Sequence, residues 1–376
     1  MPALIDRVEK RSGESVMQKN EILVVYGNKP DEMAVKIAEA AGLADLIGDR
    51  NKRIGLKPNL VVSRPASGGA TTHVEIAAGL IAYLKRNGFN NIAILEGSWV
   101  GDSTASAFSV CGYRELAKES GVELIDTQSD ACEFVDCKGM KIEMCKSALA
   151  VEFMINLPVM KGHCQTLITC ALKNNKGIIS DREKRRFHTI GLQKPIAHLN
   201  TVARNDFILV DGICGDLDFE EGGNPVHAGR MFAARDPVLC DAQAAELMGY
   251  KASEIPYIGL AESLGVGISG PALVRELNKS ADSFLPAKPS GKVMQLAANI
   301  REDGACSACY AGLVFALSRL ERGDRGRFKE ICIGQGFKGK RGKLGIGQCT
   351  GGFDAHCGGC PPTGAEVLDF LRKIKM

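Results

Sequence analysis

The sequence lacks the features of secreted, membrane-spanning and nucleic-acid-binding proteins. No apolar run approaches the roughly 18 residues that a membrane-spanning helix needs. The segment from Met1 to Lys19 is polar and mixed in charge, without the apolar stretch of a secretory signal. Lysine and arginine do not cluster among aromatic residues, and the net charge is only +3. We therefore expect a cytoplasmic protein that binds neither a membrane nor nucleic acid.

Two familiar enzyme motifs are also missing. The chain has no P-loop of the form GxxxxGK(S/T), and it has no GxSxG nucleophile turn. No internal repeat of solenoid length is visible either. These absences argue against P-loop nucleotide hydrolysis, serine-hydrolase chemistry and a repeat architecture.

Cysteine, in contrast, is abundant, with fourteen in the chain. Without a secretory signal, so many thiols indicate a reducing compartment, where cysteines bind metal, react or pack. The C-terminal part contains Cys306-Ser-Ala-Cys309, then Cys349, then Cys357-Gly-Gly-Cys360-Pro361. A CxxC pair on a turn directs two thiolates to one metal centre, and a proline after a ligand cysteine is frequent in iron–sulfur loops. We predict one 4Fe–4S cluster, bound by Cys306, Cys309, Cys349 and Cys360, with Cys357 as the alternative ligand.

Two other interpretations of these cysteines stay open. A zinc site from both CxxC pairs fits the ligand chemistry, although the gap between Cys309 and Cys357 is far longer than in a zinc ribbon. Reduced thiols without a metal are the other alternative. We expect the remaining cysteines to be packed in the core.

The rest of the chain alternates predicted strands with predicted helices. This alternation is typical of an α/β fold, a mainly parallel sheet with helices on both faces. A Gly/Pro/Ser/Lys-rich stretch at 265–291 indicates a linker or a change of domain. We therefore expect a polar leader at 1–20, an α/β domain at 21–290 and a small Cys/Gly-rich iron–sulfur module at 291–376. The strands predicted for the α/β domain are Glu21–Tyr26, Arg53–Leu56, Asn91–Leu95, Gly121–Ile125, Ala150–Leu157 and Phe207–Val210.

Polar residues follow several of these predicted strands directly. Ligands bind beyond the carboxyl ends of the strands in open parallel sheets, so these residues are candidates for one shared site. The candidates at strand ends are Lys57, Asn59, Glu96, Lys161, His163 and Asp211.

Two further segments are expected to face the same edge. Thr72 and Glu75 form a predicted capping box, which places His73 in the first turn of a helix, where anions bind. Lys173 and Asn174 end a helix predicted to begin near Gln165, and such side chains suit carboxylate or phosphate recognition.

These segments together resemble the domain of unknown function 362 family, from roughly Leu56 to Gly267. The resemblance implies an α/β architecture, and it implies a 4Fe–4S segment, which members often carry. The chain lacks the tandem CxxCxxCxxxCP runs of a bacterial ferredoxin, and its Gly-Cys-Pro-Pro ending is similar to the cluster loop of respiratory-complex small subunits. The motifs that carry the family resemblance are Lys57-Pro58-Asn59-Leu60, Thr71-Thr72-His73, Leu95-Glu96-Gly97, Gly112-Tyr113, Asn156-Leu157-Pro158, Lys161, His163, Leu172-Lys173-Asn174, Asp211-Gly212, Asp236-Pro237 and Asp241.

The residues favour a redox protein, which is either an electron-transfer protein or an iron–sulfur oxidoreductase. The cluster would exchange electrons with a partner protein or with a small anionic substrate, held by Lys161 and Lys173, while His73 or His163 transfers protons. Two alternatives stay open: a nonredox acid–base enzyme with a structural cluster, and an iron–sulfur carrier or assembly factor.

Overall fold

The computed structural model describes residues 16–278 and 292–374 of the chain. Most of the predicted polar leader, at 1–15, and the second half of the predicted linker, at 279–291, lie outside the described residues. No helix in the described ranges is both long and apolar enough to cross a membrane.

The strands belong to a large sheet, a small C-terminal sheet and two hairpins. In chain order they are β1 Glu21–Tyr26, β2 Ile54–Pro58, β3 Ile92–Glu96, β4 Glu123–Asp126, β5 Cys132–Cys137, β6 Met140–Cys145, β7 Phe153–Leu157, β8 Lys161–His163, β9 Leu167–Thr169, β10 Phe207–Asp216, β11 Pro225–Ala234, β12 Leu273–Glu276, β13 Ile300–Glu302, β14 Ile331–Ile333, β15 Leu344–Ile346 and β16 Ala355–Cys357.

The α-helices connect these strands and cover the sheets. In chain order they are α1 Pro30–Ala40, α2 Leu43–Ile47, α3 Val74–Arg86, α4 Thr104–Val110, α5 Tyr113–Ser120, α6 Lys146–Leu149, α7 Ala171–Asn174, α8 Asp181–Ile190, α9 Gln193–Leu199, α10 Pro237–Leu247, α11 Pro256–Ser263, α12 Lys292–Ala297, α13 Ser307–Arg319, α14 Arg322–Gly326 and α15 Gly364–Lys373.

The large sheet has eight strands in the order β12-β1-β11-β10-β7-β2-β3-β4. Every neighbouring pair is parallel except the two that β11 makes with β1 and β10. A parallel strand covered on both faces needs apolar side chains on both. In β1, Ile22 and Val24 belong to one hydrophobic cluster, while Leu23 and Val25 belong to the other. The expected α/β fold with a mainly parallel, two-sided sheet is therefore confirmed.

The C-terminal segment builds a second sheet of its own. Its four parallel strands run in the order β13-β14-β15-β16, and α13 and α15 pack beside them around a separate hydrophobic cluster that includes Leu313, Ile346 and Val367. The 265–291 stretch also contains β12, which pairs with β1 at the edge of the large sheet. The first part of this stretch therefore belongs to the α/β domain.

Two predicted elements differ in the structure. The helix at the candidate anion site does not begin near Gln165, because β9 occupies Leu167–Thr169 and only Ala171–Asn174 is α-helical. The N-cap of α3 is His73 rather than Thr72. The Thr72 hydroxyl instead donates to Leu157 O at 2.7 Å and accepts from Asn59 N at 2.9 Å. The Thr72 hydroxyl therefore bonds to the backbone at the ends of β2 and β7 instead of capping α3.

Candidate functional site

The carboxyl ends of the parallel strands lie at one edge of the large sheet, and the predicted polar residues are found there. Glu96 is the last residue of β3, Lys57 lies one residue before the end of β2, and Lys161 begins the small strand that follows β7. We call this edge the rim. Its polar residues fall into four groups of contacts.

The first group is a buried ion pair between Lys57 and Glu96. Lys57 Nζ lies 2.5 Å from Glu96 Oε2, and both side chains are almost completely buried. Burial lowers the pKa of Lys57 and raises that of Glu96, and the attraction between the two acts against both shifts. Gly177 packs so closely on the pair that a Cβ there would overlap it. Lys57 therefore has its own counter-ion and is not a free cation for a ligand.

The second group links Lys161 to two asparagines. Lys161 Nζ donates to Asn59 Oδ1 at 3.0 Å and to Ala70 O at 2.5 Å, and Asn59 Nδ2 donates to Asn174 Oδ1 at 2.9 Å. These hydrogen-bond partners are neutral, so burial dominates and lowers the pKa of Lys161 to about 7. Lys161 is thus a buried amine that can gain or lose a proton near neutral pH.

The third group is the contact between His73 and Asp211. Asp211 Oδ2 accepts from His73 N at 2.9 Å and lies 2.8 Å from His73 Nδ1, and its other oxygen accepts from Ile213 N. Burial alone would lower the pKa of His73, but the hydrogen bond and charge of Asp211 raise it above its ordinary value. His73 is therefore disposed to carry a proton while partly open to solvent.

The fourth group places a carboxylate between Lys173 and His163. Lys173 Nζ forms an ion pair with Glu220 Oε1, and His163 Nε2 lies 3.1 Å from Glu220 Oε2. His163 Nδ1 accepts backbone N–H bonds from Gln165 at 3.0 Å and Thr166 at 3.1 Å, so the ring proton is on Nε2 and points at Glu220. Burial, and then the charge of Lys173, lower the pKa of His163 to about 4. His163 is thus a neutral hydrogen-bond donor.

Three further members of this region, Glu220, Lys176 and His188, are not among the predicted site residues. Lys176 Nζ lies 2.9 Å from His188 Nε2, and burial lowers the pKa of Lys176 to about 7. Burial, and then Lys176, also depress the pKa of His188 well below its usual range. Lys176 carried a sequence signal, because it follows Lys173 and Asn174 in the segment expected to bind an anion, whereas Glu220 was visible only as part of an acidic loop after a strand. We call Lys161, Lys173, Lys176, His163, His188 and Glu220 the buried charge cluster.

Asp241 holds the short helix α7 that supplies Lys173 and Asn174. Its Oδ1 accepts from Ala171 N at 2.7 Å and from Leu172 N at 3.3 Å, at the start of that helix. Burial raises the pKa of Asp241 to about 7. Asp241 also forms, with Cys170 and Cys240, a buried group of potential metal ligands within 4.8 Å of one another.

The structure brings together four of the five candidate cluster cysteines. Burial, and then the neighbouring thiols of Cys349 and Cys360, raise the pKa of Cys306. The pKa of Cys309 rises to about 12 through burial and then through Cys306, Cys360 and Cys349. The thiolate forms of Cys306 and Cys309 are therefore disfavoured by burial and by the neighbouring cysteines, and a bound metal would stabilise them.

Cys357 lies apart from those four thiols. It is buried in the module's hydrophobic cluster, and apart from burial its pKa is raised only by Glu366. The four converging cysteines therefore form the better donor set for a cluster.

The module contacts the α/β domain beside Cys306. Gln335 Nε2 donates to Thr189 O at 2.6 Å, at the end of α8, and contacts Cys306 Sγ at 3.7 Å. Gln165 Nε2, beside His163, donates to Ala305 O at 3.0 Å. Cys164 and Phe219 of the α/β domain pack against the hydrophobic cluster of the module. The loop before Cys306 thus contacts the loop that follows His163.

Two glycines let the segment after β14 pack closely against Asp303. Gly334 and Gly336 follow β14, and a Cβ at either position would overlap Asp303. Residues 334–339 match GxGxxG, but a single 3-10 turn, Gln335–Phe337, follows the strand instead of a helix. These glycines therefore serve packing around the cysteine loop, since the motif binds phosphate only where it opens a helix.

Fold and site together define the class of protein: an α/β protein with a buried charge cluster at the sheet edge and a cysteine-rich module over it. A family model described as "Domain of unknown function (DUF362)" matches residues 54–246, just over half of the chain, and the protein belongs to that family.

Two further proteins are similar to the chain at low identity. A thylakoid-associated protein of Synechocystis sp. is 22% identical over 242 residues, which are 60% of this chain and 72% of that protein. The lactate racemase apoprotein from Thermoanaerobacterium thermosaccharolyticum matches with a TM-score of 0.40 and 16% identity, covering 64% of this chain. The match spans 56% of that enzyme's chain.

Proposed function

We propose that the chain is a 4Fe–4S protein of the cytoplasm, in which the cluster serves a redox reaction involving a small anionic molecule at the rim. The observation that carries the proposal is that Cys306, Cys309, Cys349 and Cys360 lie near one another, beside a loop whose Ala305 contacts Gln165, two residues from His163. A cluster bound there would exchange single electrons. The buried lysines would hold the anion, and His163 would donate a hydrogen bond from Nε2.

A side-chain contact at Cys306 supports an iron–sulfur cluster. The amide of Gln335 supplies a donor to Cys306 Sγ at 3.7 Å, and hydrogen bonds of this kind to ligand sulfurs tune the reduction potential of a cluster.

Specific observations favour each of the two alternatives as well. Lys161, with its pKa near 7, suits nonredox acid–base chemistry beside a purely structural cluster. Cys360 is exposed, which suits a carrier that hands its cluster to another protein.

A reductive titration of the anaerobically purified full chain tests the proposal. We expect dithionite to bleach the visible absorption and oxidation to restore it, with a one-electron stoichiometry. The Cys349→Ser variant, taken through the same reconstitution, provides the matched control and should show no reversible change. A cluster that cannot be reduced would contradict the redox role and favour the structural one, and rapid transfer of iron and sulfide to an apoprotein would favour the carrier.

A further inference from the structure

The contacts of the Glu220 carboxylate are those expected of a carboxylate bound in a ligand site. Each of its two oxygens has its own donor: the Lys173 ammonium contacts Oε1, and His163 Nε2 contacts Oε2. Two separate donors, one charged and one neutral, match the two oxygens of a single carboxylate.

Both donors are positioned by groups other than Glu220. Lys173 Nζ also donates to Thr169 Oγ1 at 3.1 Å, and α7 is held by Asp241. The ring of His163 is fixed by the backbone N–H groups of Gln165 and Thr166. The two donors would therefore keep their places if Glu220 left them.

Glu220 is the member of this group that reaches solvent. Its side chain is 26% exposed, whereas those of His163 and Lys173 are 2% and 3% exposed. It comes from the loop between β10 and β11, whose backbone is held by Asp216, which accepts from Asp218 N and Phe219 N at 2.9 Å each. The rotatable side chain is thus free to move outward while the loop stays in place.

The charges around Glu220 favour exchange with another anion. Burial alone would raise the pKa of Glu220, but Lys173 and His163 hold it well below its usual range. Lys161 and Lys176 lie close by and contact neutral partners at the distances given above. Replacing one carboxylate by another leaves the buried charge unchanged, so the exchange needs no new buried charge.

We infer that Glu220 is an internal ligand of the chain's own anion site, and that the substrate is a small carboxylate that takes its place between Lys173 and His163. This inference rests on the proposed function, since it names the class of anion that the rim binds. The Lys57–Glu96 pair cannot act in the same way, because both of its members are buried.

Calorimetric titration of the full, anaerobically purified chain with acetate, succinate and inorganic phosphate tests the inference. In the wild type a carboxylate has to displace Glu220. The apparent affinity is therefore the intrinsic affinity multiplied by the fraction of molecules in which Glu220 has left the site. Glu220→Gln removes that competition, and we expect acetate and succinate to bind at least about tenfold more tightly. Glu220→Asp, which keeps the charge but is too short to bridge both donors, should show the same direction if the glutamine variant folds poorly.

Two control variants distinguish carboxylate binding at this site from a general effect of protein charge. Glu221→Gln removes the same charge from the neighbouring exposed residue, which contacts neither Lys173 nor His163, and should change carboxylate affinity far less than Glu220→Gln does. Lys173→Ala should abolish carboxylate binding in every background. Equal effects of Glu220→Gln and Glu221→Gln, or unchanged carboxylate affinity in both Glu220 variants, would overturn the inference. If the inference about Glu220 fails but phosphate still binds, the proposed anion site at the rim is retained. If no variant binds any of the anions, both the inference and the proposed anion site are wrong.

Discussion

Replacing Cys306, Cys309, Cys349 or Cys360 by serine will remove most of the iron from the protein. The anaerobically purified wild type should contain about four iron atoms per chain, and each of these variants fewer than about one. The physical reason is that each thiolate supplies one of four positions in a cluster site, and a hydroxyl is a weaker ligand for iron in this setting. Iron analysis with the visible spectrum measures the result.

The matched control is Cys357→Ala. Cys357 lies in the hydrophobic cluster of the module, so alanine removes a thiol without adding a buried polar group. We expect this variant to keep its iron and to lose some stability through the small cavity. If it loses iron as completely as Cys349→Ser while its far-UV circular dichroism stays unchanged, the choice of ligands is wrong and Cys357 belongs to the site.

Replacing Lys57 by methionine will destabilise the α/β domain by about 3–5 kcal/mol, because Glu96 is left buried without its partner. The double variant Lys57→Met/Glu96→Gln should recover most of that loss. Its glutamine is neutral and can still accept the bond from Gly97 N that Glu96 Oε1 accepts at 2.9 Å. The free energy of unfolding from urea denaturation at neutral pH measures both effects.

An exposed ion pair provides the comparison for this experiment. Lys29 and Glu32 form a 2.7 Å contact with side chains that are both mostly exposed, so Lys29→Met should leave the urea midpoint unchanged. A Lys57→Met variant as stable as Lys29→Met would show that water reaches Glu96 and that the pair is not a fixed part of the rim.

The buried parallel strands could be predicted from the sequence because they are continuous apolar runs. The strand predicted at Glu21–Tyr26 is β1 with the same limits, and the strand predicted at Phe207–Val210 is the first part of β10. Strands with weaker apolar patterns were missed. In β12, Leu273 and Val274 are exposed at the sheet edge, and the β5–β6 hairpin has several exposed positions. Such strands form because a neighbour offers hydrogen bonds, which local sequence does not reveal.

The rim residues could be predicted as neighbours for the same topological reason. Parallel strands end at one edge, so polar residues after them converge, as the contacts of Lys161 with Asn59 and of Asn59 with Asn174 illustrate. The sequence could not predict which carboxylate pairs with which lysine. Lys57 and Lys173 each have a carboxylate partner, and only the fold decides which carboxylate reaches which lysine.

Glu220 was missed because β10 continues past the point where the sequence indicates its end. Gly212 follows Asp211 and is typical of a turn, yet the strand runs on to Asp216 with a shift in register between Gly212 and Cys214. The loop that follows therefore begins several residues later than predicted and reaches over β8. Apolar periodicity encodes neither the longer strand nor the shift, so it could not place Glu220 beside His163.

Metal and sulfide analysis of the anaerobically purified wild-type chain, together with its visible spectrum, shows directly whether the chain binds a 4Fe–4S cluster. We expect about four iron and about four acid-labile sulfide per chain and a brown protein with broad absorption near 400 nm. Stoichiometric zinc without iron, persisting after anaerobic reconstitution with iron and sulfide, would contradict this expectation.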